Sequence, residues 1–169
     1  KDKNIEDHNK VSFCGGFLIS PRFVITAAHC VDCRTKDDTA VVFGTNKPFD
    51  SIRKQEMKFI SNIFVHPDYN QGVKLEMKNS PDVALIELEE EVEFGPTLNS
   101  ICLPSRPCDR YEQKSMLVAG WGLIGHSPNG DPIISEHLMK TRVKILSNAE
   151  CRTWNGYDFL KRFARHKSN

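Results

Sequence analysis

Long apolar runs are missing from this chain. Nothing in its 169 residues approaches the roughly 20 consecutive apolar residues that a membrane-spanning helix needs, so no membrane partner is expected. No apolar h-region follows the polar opening Lys1-Asp2-Lys3-Asn4. The chain is therefore expected to be a processed or partial product rather than one that starts with a leader. A surplus of one charge sign is missing too: 23 Lys and Arg stand against 22 Asp and Glu, a formal net charge of +1. Without a basic excess there is no electrostatic footprint for nucleic acid. Internal repeats, heptads, low-complexity tracts and N-x-[ST] glycosylation sequons are also lacking.

What remains has the composition of a globular β domain. Hydrophobic residues make up 39% of the chain, enough for the core of one domain or a little more. Short strand-like runs recur at 12–19, 23–27, 40–44, 57–65, 83–88, 116–121 and 138–146, divided by Pro, Gly, Asn and Asp clusters. Many short strands with turn signals between them predict an all-β sandwich or barrel class. Helix is expected only after Ser147-Asn148-Ala149-Glu150, where Ser147 and Glu150 have capping-box spacing, and near 157–164.

Six cysteines, at 14, 30, 33, 102, 108 and 151, suit an oxidising compartment, and so an extracellular, secreted or secretory-granule location. Six allow about fifteen pairings, so spacing alone does not give the connectivity. Cys30-Val31-Asp32-Cys33 has the form of a CxxC motif. A zinc site would need a second such pair or two histidines at ligand spacing, and none follows. A redox site would open a helix, whereas Arg34-Thr35-Lys36-Asp37-Asp38 is a polar loop. Neither a metal nor any other cofactor is expected.

The most informative residues are Thr26-Ala27-Ala28-His29-Cys30. They follow the runs Ser12-Phe13-Cys14-Gly15-Gly16-Phe17-Leu18-Ile19 and Phe23-Val24-Ile25, joined by a Ser20-Pro21-Arg22 turn. A histidine directly after such a hairpin is a candidate for a positioned general base. This segment resembles the signature around the catalytic base of the trypsin-like, chymotrypsin-type serine proteases. Pro81-Asp82-Val83-Ala84-Leu85-Ile86-Glu87-Leu88 resembles the family's aspartate strand, with Pro81 where asparagine is usual. His66-Pro67-Asp68-Tyr69, Ile101-Cys102-Leu103-Pro104, Ala119-Gly120-Trp121-Gly122 and Glu150-Cys151 resemble further family landmarks in the family's order. His66 is read as a structural turn residue. The glycines beside Trp121 are expected to permit tight backbone approach.

The resemblance implies a chymotrypsin-like double β-barrel. Residues 1–100 would form the first barrel, 101–115 the connection, and 116–169 the start of a second, truncated barrel. It implies serine endopeptidase chemistry on protein or peptide substrates, with His29 as general base and a buried Asp82 orienting it. It implies a structural disulfide between Cys14 and Cys30. Cys102 would pair with an upstream pro-segment or light chain and Cys151 with a downstream partner. Cys33 and Cys108 have no place in the family pattern and are candidates to bridge each other.

The family's nucleophile stands in a Gly-Asp-Ser-Gly-Gly segment, which these 169 residues do not contain. Ser20, Ser105 and Ser127 sit in turn or loop contexts instead. Nor does the mature family N-terminus, Ile/Val-Val/Ile-Gly-Gly, precede Cys14. The chain alone is thus expected to be inactive, as part of a protease. The alternative is a truncated, non-catalytic homologue that acts as a binding or decoy protein. The loop Gly44-Thr45-Asn46-Lys47-Pro48-Phe49-Asp50 has Thr and Lys where a calcium site would need carboxylates. The basic stretch 161–167 is read as a solvated face rather than a binding site for an acidic surface.

Overall fold

A computed structural model describes residues 14–47, 57–70, 80–104 and 111–153. Over these residues the chain is mostly β, and it divides into two compact units. The first takes the described parts of 1–103 together with Trp121–Leu138. The second takes those of 104–120 and 139–169.

The first unit is built on a five-stranded antiparallel sheet. Strands β1 (Gly16–Leu18), β2 (Phe23–Thr26), β3 (Ala40–Val42), β4 (Met57–Val65) and β5 (Ala84–Leu88) are arranged in the order β1-β2-β5-β4-β3. Strand β5 lies at its centre and alternates cleanly. Ala84, Ile86 and Leu88 are buried, while Leu85 and Glu87 are only half-buried on the opposite face. That is the period of two expected of a strand with one face on the core. Ile60 on β4 pairs with Leu88, and neither side chain has any exposed surface. With Leu18, Val24, Ala28, Val31, Ala84, Ile86 and Val92 they make the hydrophobic core. A side chain of this kind contributes about 2 kcal/mol when fully buried.

Two straps close the sheet. The Leu88 and Val92 N–H groups donate to the Arg22 and Pro21 carbonyls, at 2.9 Å each. Ile101 N–H donates to the Leu18 carbonyl at 2.8 Å, which ties Ile101 to β1.

The hairpin of β7 (Leu123–His126) and β8 (Pro132–Ile134) was not expected from the sequence, whose strand-like runs leave out 122–137. Its turn closes through Ser127 N–H to the Asp131 carbonyl (2.8 Å) and Gly130 N–H to the Ser127 carbonyl (2.9 Å). Gly130 has φ +87°, the left-handed conformation that makes Asn129-Gly130 a turn signal. Both ends of this segment tie to Asn46, whose carbonyl accepts from the Trp121 indole N–H (3.0 Å) and from Leu138 N–H (2.9 Å). The tight approach expected at the glycines beside Trp121 is not seen: among the described residues, chain neighbours aside, no heavy atom lies within 4 Å of where a Cβ would stand at Gly120 or Gly122.

In the second unit, β6 (Ser115–Gly120) pairs with β9 (Met139–Lys144) along their full lengths. Helix α1 (Asn148–Thr153) then begins with the predicted capping box. Glu150 N–H donates to Ser147 Oγ (3.1 Å), and Ser147 N–H donates back to Glu150 Oε2 (2.8 Å). The helix expected near 157–164 and the basic stretch 161–167 lie outside the described residues.

Candidate active site

Strand β2 ends at Thr26, and the chain enters a single 3-10 turn, Ala28–Cys30. Ala28 is fully buried and anchors this turn. Its carbonyl accepts the N–H groups of Val31 and Asp32, both at 3.0 Å. The buried alanine forces the next residue, His29, to point outward, so small apolar residues before the histidine set its direction. On the neighbouring strand, Thr26 pairs with Ala84 in the last registered pair of the β2–β5 ladder. Asp82 precedes Ala84 by two positions, which brings it alongside His29.

The two side chains meet in a two-point contact. Asp82 Oδ2 lies 2.7 Å from His29 Nδ1, and Asp82 Oδ1 accepts the His29 backbone N–H at 2.9 Å. Hydrogen bonds from the backbone and ring of His29 hold the Asp82 carboxyl below its ordinary range, against a smaller opposing effect of desolvation. Asp82 is therefore ionised at neutral pH and can only accept. That assigns the proton to Nδ1 and leaves the lone pair on Nε2.

Asp82 departs from the buried aspartate expected from its sequence context. Its side chain is 45% exposed and that of His29 is 63% exposed. The reason is register. Asp82 stands beyond the end of the paired ladder, where the sheet no longer covers it, and its polar partners come from the 28–30 turn instead.

Cys14 and Cys30 form the expected disulfide, with their Cα atoms 6.0 Å apart. His29 Nε2 lies 3.5 Å from Cys30 Sγ. Cys14, His29 and Cys30 bring three potential metal-ligating atoms within 4.8 Å of one another. The disulfide consumes both thiolates, however, and one imidazole does not hold a metal. Gly16 explains the glycine after Cys14-Gly15. A Cβ there would meet Val24 Cγ1 at 2.9 Å and the Ile25 carbonyl at 3.0 Å. Thr26 Oγ1 donates to the Gly15 carbonyl at 2.9 Å, which secures the cysteine arm on β2.

His66 behaves as the structural turn residue it was read to be. Its N–H donates to the Val83 carbonyl (3.1 Å), its carbonyl accepts from Tyr69 N–H (2.9 Å), and its Nδ1 accepts from Asp68 N–H (3.2 Å). Sequence reasoning missed two neighbours of the site. Tyr69 packs against the core, and the Asp32 and Asp82 carboxylates lie near enough to act on its phenol. Partial burial, and then the charges of Asp32 and Asp82, push the phenol above its ordinary value. Asp32 was read only as part of the CxxC stretch, and nothing in its sequence context marks it as a neighbour of Tyr69. Cys102 and Cys151 are exposed thiols. Ser20 and Ser127 bond within their own turns, to Phe23 N–H (3.1 Å) and Asp131 N–H (3.1 Å) respectively. Ser105 and Cys108 lie outside the described residues. Among the described residues, no helix is long and apolar enough to cross a membrane.

Comparison with known proteins gives the family. Residues 3–165 match the Trypsin family. Among curated proteins, the chain is 36% identical over 146 residues to the venom serine protease Bi-VSP of Bombus ignitus, which covers 82% of this chain and 37% of that protein. It is 32% identical over 149 residues to venom serine protease 34 of Apis mellifera, covering 85% of this chain and 35% of that protein. The chain thus spans little more than a third of the length of these two relatives. Among solved structures, the scabies mite inactivated protease paralogue S-D1 superposes with a TM-score of 0.67 at 27% identity, over 82% of this chain and 55% of that one. The structure of GrC gives 0.68 at 26% identity, over 85% and 58%. The fold is all-β and chymotrypsin-like, and the chain belongs to the trypsin family of serine proteases.

Proposed function

We propose that this chain carries the base and the orienting acid of a secreted serine endopeptidase. His29 is the general base and Asp82 its orienting carboxylate. The observation that carries this reading is the two-point contact, Nδ1 to Oδ2 at 2.7 Å and backbone N–H to Oδ1 at 2.9 Å. A carboxylate that grips both the ring and the backbone of one histidine fixes the rotamer and the tautomer together. Nε2 is then left as the proton acceptor for a hydroxyl nucleophile. As the proton arrives, the imidazolium is stabilised by the adjacent carboxylate, and Nε2–H can later protonate the leaving amine.

The nucleophile is not among these 169 residues, because no Gly-Asp-Ser-Gly-Gly segment occurs in them. The chain alone does not turn over peptides. Substrates are proteins or peptides, as in the family. Secretion is consistent with the Cys14–Cys30 disulfide and with the two venom proteases to which the chain is similar. The exposed Cys102 thiol is accessible to a disulfide-linked pro-segment or light chain.

The test is peptide hydrolysis by the native polypeptide that contains these residues. His29→Ala abolishes it, and Asp82→Asn lowers kcat on the order of 10⁴-fold through the wrong tautomer. Undiminished turnover in Asp82→Asn refutes the assignment. One observation favours a second reading, the likeness to a protease paralogue described as inactivated. Under that reading the protein binds without cleaving, and the native polypeptide takes no label from a serine-directed fluorophosphonate.

A further inference from the structure

We propose that Cys14, His29 and Cys30 form a zinc site whenever the Cys14–Cys30 bridge is open. In the closed state the two sulfurs are spent on each other. Reduction by a dithiol passes two electrons and two protons to the bridge, which becomes two thiols while the dithiol closes to its own disulfide. Zinc then displaces both thiol protons and takes two thiolates and one neutral imidazole. Metal binding stands on the geometry of these three residues, whereas its consequence for catalysis rests on the reading of His29 as general base.

The ligand atoms are already gathered. One from each residue lies within 4.8 Å of the others, and His29 Nε2 is 3.5 Å from Cys30 Sγ. A tetrahedral zinc with bonds of about 2.3 Å to sulfur and about 2.0 Å to nitrogen spaces two such ligands by about 3.5 Å. This nitrogen–sulfur edge therefore exists before any metal arrives. The sulfur–sulfur edge must open to about 3.8 Å, and the Cys14 side chain is exposed and has room to turn.

The nitrogen that faces the sulfurs is also preset. Asp82 Oδ2 lies 2.7 Å from His29 Nδ1 and keeps the ring proton there, which leaves the lone pair on Nε2. A carboxylate on the far nitrogen of a ligating histidine fixes its tautomer and raises its basicity, as the outer shell of zinc sites does.

The main chain under the ligands does not depend on the bridge. Gly16 pairs with Thr26, whose Oγ1 donates to the Gly15 carbonyl at 2.9 Å, and these contacts hold the Cys14 arm. Cys30 N–H donates to the Ala27 carbonyl at 3.2 Å, in a turn anchored by the fully buried Ala28. Opening the bridge thus leaves the three ligands in place. Two thiolates and an imidazole suit zinc rather than a hard cation, and the fourth position is left to water. The metal takes the lone pair that His29 needs as a proton acceptor. The open form is silenced, and closure of the bridge keeps the base free.

The experiment is nuclear magnetic resonance of histidine-labelled native polypeptide, with the zinc ion alone as probe and the His29 Nε2 resonance as readout. A phosphine replaces the dithiol as reductant, because a dithiol competes for zinc. One equivalent of zinc should shift the Nε2 resonance of the reduced protein and leave that of the oxidised protein unmoved. Zinc held by other thiols of the chain does not move this resonance. Asp82→Asn keeps all three ligands and should weaken binding roughly 10- to 100-fold. Cys14→Ser and Cys30→Ser each remove a ligand and should weaken it further, so a folding failure in one leaves the other to be read. No shift in the reduced protein, an equal shift in the oxidised protein, or undiminished affinity in Cys14→Ser would each overturn the site. If reduction unfolds the chain, zinc should restore the folded spectrum and raise the urea midpoint; a chain that stays unfolded with zinc also overturns it. The two readings fail separately: peptide hydrolysis that survives His29→Ala in the oxidised polypeptide removes the general base and leaves the zinc shift standing.

Discussion

Substitution of the two adjacent glycines, Gly15 and Gly16, by alanine tests the packing that secures the disulfide arm on β2. A Cβ at Gly16 would stand 2.9 Å from Val24 Cγ1 and 3.0 Å from the Ile25 carbonyl oxygen. Neither neighbour can yield cheaply. Val24 is 2% exposed and belongs to the core, and Ile25 is paired on both sides, with Phe17 and with Leu85. An added methyl group in such a place costs about 1–3 kcal/mol through displaced side chains and backbone. At Gly15 nothing lies within 4 Å of the same methyl group, and alanine there is expected to change stability by no more than about 0.5 kcal/mol. Equilibrium urea unfolding under oxidising conditions measures both variants. With a slope of about 2 kcal/mol per molar, Gly16→Ala should lower the midpoint by roughly 1 M. A cost for Gly16→Ala equal to that for Gly15→Ala would refute the argument, because the two differ only in what the methyl group meets.

Leu88→Ala removes a side chain with no exposed surface that pairs with Ile60 on β4, and should cost about 2–5 kcal/mol in the same assay. Removal of the Cys14–Cys30 disulfide, as a Cys14→Ser/Cys30→Ser double variant, frees a loop with a sequence separation of 16. The expected cost is about 3 kcal/mol, and an unchanged urea midpoint would count against a structural role for the bridge. The Asp82 carboxyl is held below its ordinary value of 3.8. Its ionised contact is therefore fully present above that value and lost as pH falls through the lower folded value. The protected His29 Nδ1 proton should persist on acidification down to the ordinary carboxylate range and disappear only below it; loss already near pH 6 would contradict this. Ser147→Ala removes one half of the capping box of α1 and should cost about 1 kcal/mol in the second unit, read from amide exchange in 149–153.

Much of this protein was legible in the sequence because the relevant signals are local. Strand β5 alternates residue by residue, so its inward face of Ala84, Ile86 and Leu88 follows from a period of two. The capping box needs only Ser147 and Glu150 at the right spacing. His29 and Asp82 stand in contiguous motifs, Thr26–Cys30 and Pro81–Leu88, and the family resemblance of those motifs paired them. The β7–β8 hairpin was missed although Asn129-Gly130 marks its turn, because its strands are only four and three residues long.

Other features depend on what stands opposite in space. The exposure of Asp82 follows from where the β2–β5 ladder stops, and no residue near Asp82 encodes that limit. The need for glycine at position 16 but not at 120 or 122 depends on Val24 and Ile25 across the strand. The sequence by itself determined most of the strands though not β7 and β8, which histidine and aspartate are candidates to meet, and that the chain resembles the trypsin family. Tertiary structure alone decided how that pair is held, because propensity and motif are properties of neighbours along the chain. Register and burial are properties of segments brought together by folding.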